Sequence, residues 1–176
     1  MSGGKIQKRE TLIPSAPPKN RARPDRRAEV SEFLAFGLAG EAFALPLGAV
    51  REILKVQPIT EVPRAKPYVL GILSVRGRIT TVIDLRRRLR MPKATSTKQS
   101  RILLVDGGEE IIGMLVDEVH QVYRLHEEEM EMAAVVAGDL SEYVFGIGRP
   151  GGASEEGGEQ DDILILLDPE PRLKRC

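Results

Sequence analysis

Side chains that could do covalent or metal chemistry are few in this chain of 176 residues. Its two histidines, His120 and His126, are six residues apart, which fits neither the i,i+3 nor the i,i+4 spacing of one helix face. On a β-strand they would share a face but lie about 20 Å apart, too far to share a metal ion. The single cysteine, Cys176, ends the chain, which excludes an internal disulfide or a multi-cysteine metal site. The sequence therefore predicts no catalytic residue, no metal and no cofactor.

Residues 146–151 match the dinucleotide-binding pattern G-x-G-x-x-G. Such a site needs a helix that begins at the glycines, so that its N-terminal amides can hold the pyrophosphate. Here Pro150 stands inside the motif, and the acids that follow would repel phosphate: Glu155, Glu156, Glu159, Asp161 and Asp162. We interpret the motif as a turn that leads into an acidic loop.

The densest basic cluster is Arg86-Arg87-Arg88-Leu89-Arg90. Together with a basic N-terminal tail it raises the hypothesis of nucleic-acid binding. The isoelectric point of about 6.8 and the absence of tryptophan argue against that hypothesis, because single-stranded nucleic acids need aromatic stacking platforms. We interpret the cluster first as a solvated, partly capped turn, second as a docking surface for an acidic protein, and last as a nucleic-acid site.

Arg76-Gly77 is the most suggestive polar site. The pattern predicts a hairpin from strands at residues 70–75 and 79–85, with Arg76 at its tip and Gly77 allowing the tight turn. A guanidinium held at a rigid turn can present planar donors to a carboxylate, on a partner or on Glu52 of the same chain.

These residues belong to a structural unit that occurs twice. Residues 33–56 match residues 102–125 in hydrophobic pattern. The aligned positions, at offsets of 69, 75 and 84, include Leu34 with Leu103, Val50 with Val119, Tyr68 with Tyr143, and residues 79–84 with residues 163–168. A repeat of this length predicts two similar folding units packed together, with a groove between them.

Composition suggests where the units lie. We predict a disordered basic tail at residues 1–30, a first barrel at about 31–90, a polar linker at 91–100, a second barrel at about 101–170 that contains an acidic loop at 151–162, and a C-terminal tail at 171–176. One unit of about 65 residues would be marginally stable alone. No apolar run approaches the roughly 18 residues of a membrane span, and the N-terminus lacks the apolar core of a signal peptide, which predicts a cytoplasmic protein.

The strands themselves are short, aliphatic and separated by glycine turns, which favours antiparallel pairing. We count about five in each unit, and five such strands close naturally into a small barrel. The predicted fold class is all-β with short helical turns. Asp84 is a suitable N-cap for residues 85–89, and the segments 47–54 and 116–123 could each hold a helical turn, capped by Gly48 and Asp117.

Several motifs occur in an order that resembles the CheW family of chemotaxis coupling proteins, from Phe33 to about Asp168. They are Ala44-Leu45-Pro46-Leu47, Val50-Arg51-Glu52-Ile53, Val62-Pro63, Tyr68-Val69-Leu70-Gly71, Val82-Ile83-Asp84-Leu85-Arg86 and residues 113–119 (GMLVDEV). The resemblance implies a CheW-like fold of two five-stranded, Src-homology-3-like barrels around a shared hydrophobic core.

The resemblance also implies a non-enzymatic adaptor. Such a protein links the cytoplasmic tips of methyl-accepting chemoreceptors to the regulatory domain of the histidine kinase CheA, at membrane-associated receptor clusters and without inserting into the membrane. The implied receptor- or kinase-binding residues are Val50, Glu52, Ile53, Gly71, Arg76, Gly77, Val119 and Val122. The receptor's helical hairpin would lie along the groove between the barrels, and the barrel ends would pair with the kinase. The family's Asn-Leu-Arg-Gly hairpin reads Ser74-Val75-Arg76-Gly77 here, so the arginine carries over and the asparagine does not.

Two alternatives remain open from the sequence. One is a CheW-like coupling module of a kinase pathway outside chemotaxis, controlling surface motility or development. The other is a nucleic-acid-binding protein that uses its basic tail.

Overall fold

The computed structural model describes residues 30–132, 143–151 and 163–169. The predictions about the basic tail, most of the acidic loop and the C-terminal tail lie outside these residues. The described strands are β1 (Val30–Leu38), β2 (Glu41–Pro46), β3 (Val50–Lys55), β4 (Val69–Val75), β5 (Arg78–Asp84), β6 (Arg101–Asp106), β7 (Ile111–Val116), β8 (Glu118–His126), β9 (Met130–Met132), β10 (Val144–Gly148) and β11 (Leu164–Leu167). A short helix, α1 (Leu85–Arg88), follows β5. The all-β class is confirmed.

The strands form two sheets. The first sheet has the order β8-β1-β2-β11-β10-β9, and the second sheet has the order β3-β6-β7-β5-β4. The hairpin β1–β2 thus pairs with strands of the second half of the chain, while β6–β7 pairs with strands of the first half. The observed pairing differs from the predicted division at residues 91–100, because each half gives its first hairpin to the sheet of the other.

Each sheet is rolled but remains open. Leu54 on β3 and Leu70 on β4 pack against one cluster, although β3 and β4 are opposite edges of the second sheet. In the first sheet, Leu125 on β8 and Met130 on β9 likewise belong to one cluster, although β8 and β9 are its opposite edges. Among the described strands no pairing joins these edges, so the predicted closed barrels are replaced by curled sheets.

Strand registers follow the sequence repeat. Equivalent pairs in the first and second sheets are Leu34–Val122 with Leu103–Ile53, Phe36–Val119 with Val105–Val50, Phe43–Ile165 with Ile112–Thr81, and Gly146–Leu166 with Gly71–Val82. Even the register shifts recur, between Val69 and Gly71 and between Val144 and Gly146. The repeat predicted from the sequence is therefore present in the structure.

Three apolar clusters hold the fold together. One lies inside each rolled sheet, around Phe33 and Leu166 in the first and around Val82 and Ile102 in the second. The third, here called the shared core, joins the sheets through residues that include Leu34, Phe36, Leu45, Ile83, Leu103, Val105, Met114 and Val116. Because the hairpin strands β1 and β6 contribute to an inner cluster on one face and to the shared core on the other, they appear in the sequence as unbroken apolar runs.

Short helical segments are few. Asp84 caps α1 as predicted, with its Oδ1 accepting a hydrogen bond from the Arg86 amide at 3.0 Å. A 3-10 turn occupies Leu47–Ala49, but its N-cap is Pro46 and not Gly48. The second predicted helical turn is wrong, since residues 118–123 belong to strand β8. No helix in the described part is long and apolar enough to cross a membrane.

Gly71 is required by a close approach of two backbones. It is buried in β4 with φ of +149°, and a Cβ there would stand 2.1 Å from the carbonyl oxygen of Thr60. The neighbouring Ile72 exchanges two backbone hydrogen bonds with Thr60, at 2.8 and 2.9 Å. Gly71 therefore allows the β3–β4 connection to lie against β4 and offers no side chain to a partner.

Gly71→Ala should lower the free energy of unfolding by about 3 kcal/mol, because the new methyl group overlaps a fixed carbonyl in a conformation that alanine disfavours. Urea unfolding of the full chain measures this. Gly48→Ala is the matched control, since a Cβ there meets no atom within 4 Å, and it should be nearly neutral. Equal effects of the two substitutions would contradict the argument.

Candidate protein-docking site

The predicted apolar site residues lie on two equivalent edge strands. Val50 and Ile53 are on β3, opposite Val105 and Leu103, and both of these partners belong to the shared core. On β8, Val119 and Val122 lie opposite Phe36 and Leu34, which belong to the same core. Directly opposed residues share a face of a sheet. All four predicted residues therefore lie on the sheet faces that enclose the shared core.

On each edge strand, one of the two predicted residues is more buried than the other. Val50 and Val119 are partly buried and pack against the shared core, whereas Ile53 is 45% exposed and Val122 is 43% exposed. Each edge strand thus extends the shared core outward to an accessible aliphatic side chain. The arrangement can receive an apolar surface of another protein.

Arg76 stands at the turn between β4 and β5. Arg76 has φ of 49° and Gly77 has φ of 78°, and the flanking Val75 and Arg78 are paired. Two successive positive φ values across a two-residue loop are typical of a type I′ hairpin turn. The turn fixes the direction in which the arginine leaves the hairpin.

Arg76 pairs with Glu52, as the sequence suggested. Its Nη2 lies 3.0 Å from Glu52 Oε1, with the Arg76 side chain 80% exposed and that of Glu52 29% exposed. Glu52 is on β3 and Arg76 follows β4, so the ion pair spans the open side of the second sheet between its two edges. An exposed pair of this kind adds little stability, and the guanidinium keeps donors that face solvent.

The Glu52 member of the pair has no equivalent carboxylate in the other half of the repeat. The position equivalent to Glu52 on β8 is Gln121. The two-residue turn that carries Arg76 corresponds in the other half to residues 149–163, which connect β10 to β11. The two apolar edges are therefore similar, but a single one of them is flanked by this ion pair.

Ile79 is an exposed residue that sequence reasoning missed. It lies on β5 just after the turn and is 75% exposed. Its repeat equivalent, Ile163, is 47% exposed. Ile79 therefore adds an exposed apolar side chain to the hairpin that carries Arg76.

The histidines and the glycine motif make contacts within the protein. His120 Nε2 lies 2.8 Å from Glu118 Oε1, and no group of three possible metal ligands occurs among the described residues. Gly146 and Gly148 of the glycine motif lie in strand β10, where a Cβ would meet Glu131 O at 2.8 Å and Leu125 Cδ1 at 2.6 Å. These glycines allow neighbouring chain segments to approach β10.

The arginine run after β5 is largely engaged inside the protein. Arg86 donates to Asp117 through Nε at 2.9 Å and Nη2 at 2.5 Å. Arg87 donates to the Pro67 carbonyl at 3.1 Å, and the Arg88 guanidinium stacks on aromatic rings. These contacts favour the first interpretation of the cluster, a capped turn, over a nucleic-acid site.

Asp117, predicted as an N-cap, instead joins the two sheets. It stands between β7 of the second sheet and β8 of the first, and its Oδ2 also accepts from the Ala39 amide at 2.8 Å. Partial burial raises the pKa of Asp117, but the hydrogen bonds from Arg86 and Ala39 and the charge of Arg86 outweigh it, so the pKa lies below its ordinary value. The same contact raises the pKa of Arg86.

Asp117→Asn should lower the free energy of unfolding by about 1–2 kcal/mol at neutral pH, since Arg86 loses its charged partner. Because the folded pKa of Asp117 is depressed, its contribution is present above the unfolded pKa and is lost as pH falls through the folded one. Urea unfolding of both proteins should therefore give a difference that is constant above about pH 5 and shrinks below about pH 4. A difference independent of pH down to acid conditions would contradict this assignment.

Most of the chain is similar to proteins of one known family. Residues 32–175 match the family model of the CheW-like domain. The chain is 36% identical over 102 residues to the chemotaxis protein CheW of Bacillus subtilis, covering 58% of this chain and 65% of that protein. It is 25% identical over 154 residues to the chemotaxis protein CheW of Helicobacter pylori, covering 88% of each.

A solved structure has the same fold. The scaffolding protein TtCheW from Thermoanaerobacter tengcongensis superposes with a TM-score of 0.68 at 30% sequence identity, covering 78% of this chain and 88% of that one. With two rolled sheets around a shared core, and with the family model matched from residue 32 to residue 175, the chain belongs to the CheW family of chemotaxis coupling proteins.

Proposed function

We propose that this protein is a non-enzymatic adaptor that links the cytoplasmic tip of a methyl-accepting chemoreceptor to the regulatory domain of a CheA-type histidine kinase. It acts in the cytoplasm at membrane-associated receptor clusters. The observation that carries the proposal is the pair of apolar edge strands on the shared core, one of them flanked by the Arg76–Glu52 ion pair. Such a site offers surface for contact with proteins.

The apolar edges suit a helical receptor tip. A helix presents apolar side chains at i, i+3, i+4 and i+7, and Ile53 and Val122 offer it exposed aliphatic contacts. Burial of these side chains by a partner would continue the shared core across the interface. The receptor's helical hairpin is therefore the occupant proposed for this surface.

The Arg76–Glu52 pair supplies orientation. The turn and the contact with Glu52 favour one direction of the Arg76 side chain, which reduces the freedom lost when it meets a carboxylate on a partner. Glu52 in turn keeps the guanidinium at one edge of the second sheet. Ile79 and Gly77 lie at the same hairpin tip and would contact the partner that Arg76 orients, for which the kinase regulatory domain is the proposed candidate.

Arg76→Ala should weaken partner binding by about 2 kcal/mol, roughly thirtyfold in Kd. It should lower the free energy of unfolding by less than about 1 kcal/mol, because the ion pair is exposed. Titration calorimetry with the kinase regulatory domain and with receptor-tip fragments, together with urea unfolding, measures both effects. Arg78→Ala, an exposed arginine two residues away on the same hairpin, is the matched control and should change neither. If Arg76→Ala unfolded the protein but left both affinities intact, Arg76 would be a structural residue.

Ile53→Asp and Val122→Asp should each weaken receptor-tip binding at least tenfold, because a carboxylate would be desolvated against the apolar helix face. Both side chains are more than 40% exposed, so folding should survive. Val62→Asp provides the control, since Val62 is 38% exposed but lies in the β3–β4 connection. Retention of receptor binding by both edge variants would place the receptor elsewhere.

A further inference from the structure

Arg88 lies between two aromatic rings that the repeat makes equivalent. Its Cζ is 4.5 Å from the centroid of the Tyr68 ring and 4.5 Å from that of the Tyr143 ring. A guanidinium within about 6 Å of a ring centroid makes a cation–π contact. One cation is thus shared by two tyrosines, and the three side chains are each partly buried.

The two tyrosines come from different sheets. Tyr68 precedes β4 of the second sheet and Tyr143 precedes β10 of the first, and they align at the repeat offset of 75. Their carbonyls have the same role, since Tyr68 O accepts from the Asp84 amide at 2.8 Å and Tyr143 O accepts from the Asp168 amide at 2.7 Å. Both rings also pack against the shared core. A cation equidistant from both rings therefore connects the two sheets.

Helix α1 places the cation there. Asp84 caps the helix, Arg86 binds Asp117 between β7 and β8, and Arg87 binds the carbonyl of Pro67, next to Tyr68. These contacts fix the helix on both sheets before Arg88 is considered. From this position the Arg88 guanidinium reaches both rings.

The surroundings of Tyr143 indicate that the face of its ring, and not its hydroxyl, makes the interaction at this position. Its hydroxyl is buried and has no hydrogen-bond partner among the described residues. A buried hydroxyl without a partner is unfavourable, yet the ring is held in stacking contact with a cation. Phenylalanine should therefore serve at this position as well as tyrosine does.

We propose that Arg88 is a positioning residue that fixes the first sheet against the second through Tyr68 and Tyr143, and thereby sets the spacing of the edge strands β3 and β8. The second part rests on the proposed function, in which those two strands receive the receptor tip. Arg88 itself touches no partner. Its effect on binding is transmitted through the relation of the two sheets.

A thermodynamic cycle on the full chain tests the contact without any partner. Tyr143→Leu should reduce the folding equilibrium constant about fivefold in the native background, and Arg88→Met should reduce it further because it removes contacts with both rings. In the Arg88→Met background, Tyr143→Leu should reduce the folding equilibrium constant about fivefold less than it does in the native background. Tyr143→Phe keeps the ring and should cost nothing. Tyr143 is the better ring to change, since Tyr68 also has the Lys66 ammonium 5.9 Å from its centroid. Additive effects of Arg88→Met and Tyr143→Leu would overturn the contact.

Distance measurement tests the positioning. Spin labels on Lys55→Cys in β3 and Gln121→Cys in β8, with Cys176→Ser, report the separation of the two edges by pulsed electron resonance. The labelled chain without a further change and its Tyr143→Phe variant should give one narrow distance distribution. Arg88→Lys should give a somewhat broader distribution, and Arg88→Met should give a clearly broader or shifted one. An unchanged distribution in Arg88→Met would overturn the positioning role.

Receptor affinity separates this inference from the proposed function. In the unlabelled chain, Arg88→Met should weaken binding of a receptor-tip fragment about fivefold, with partial rescue by Arg88→Lys. If the distance distribution changed but receptor affinity did not, the sheet contact would stand, and the use of β3 and β8 as the receptor site would be overturned.

Discussion

The exchange of hairpins between the two halves is the constraint on which the rest of this structure depends. Strands β1 and β2 complete the first sheet with β8, β9, β10 and β11, while β6 and β7 complete the second with β3, β4 and β5. Removal of either hairpin would leave a sheet in two parts, because the hairpin stands between its neighbours. In the observed topology each sheet takes strands from both halves of the chain, so each half depends on the other for its central strands.

This constraint explains where the docking residues lie. The exchanged hairpins fill the middle of each sheet and are buried on both faces, as the unbroken buried run from Phe33 to Leu38 shows. The strands that cross between sheets, β3 and β8, are left at the edges. Their residues Ile53 and Val122 extend the shared core to the surface. A surface built in this way is apolar, rigid and duplicated, which suits a scaffold that binds proteins.

Much of the fold was predictable from the sequence, and so was part of the site. Strand positions and the repeat followed from alternating and continuous apolar runs, and the Arg76–Glu52 contact followed from a Gly-containing turn opposite a strand with one carboxylate. The exchange of hairpins was not predictable. Because Leu34 and Leu103 occupy equivalent positions, pairing within a half and pairing between halves bury the same side chains, and a hydrophobic pattern cannot distinguish them.

Other differences have a similar local origin. Asp117 fits the sequence preference for an N-cap, but Arg86, 31 residues away, supplies a stronger partner for its carboxylate than a helix terminus would. Ile79 lies in an apolar stretch of sequence, yet it precedes Thr81, where the pairing of β5 with β7 begins, and it is exposed. Both depend on three-dimensional neighbours that sequence patterns do not specify.

The positions at which the two halves differ determine whether a partner can distinguish one edge strand from the other. Two equivalent halves would offer a partner two equivalent edges, and a symmetric adaptor would bind the same partner twice. Here Glu52 corresponds to Gln121, and the Arg76-Gly77 turn corresponds to the connection at residues 149–163. The aliphatic positions are therefore shared by both edges, while the Arg76–Glu52 pair belongs to the β3 edge. In the proposed role, the aliphatic residues of both edges would supply affinity with little directional preference, and the Arg76–Glu52 pair would let a partner distinguish the β3 edge from the β8 edge.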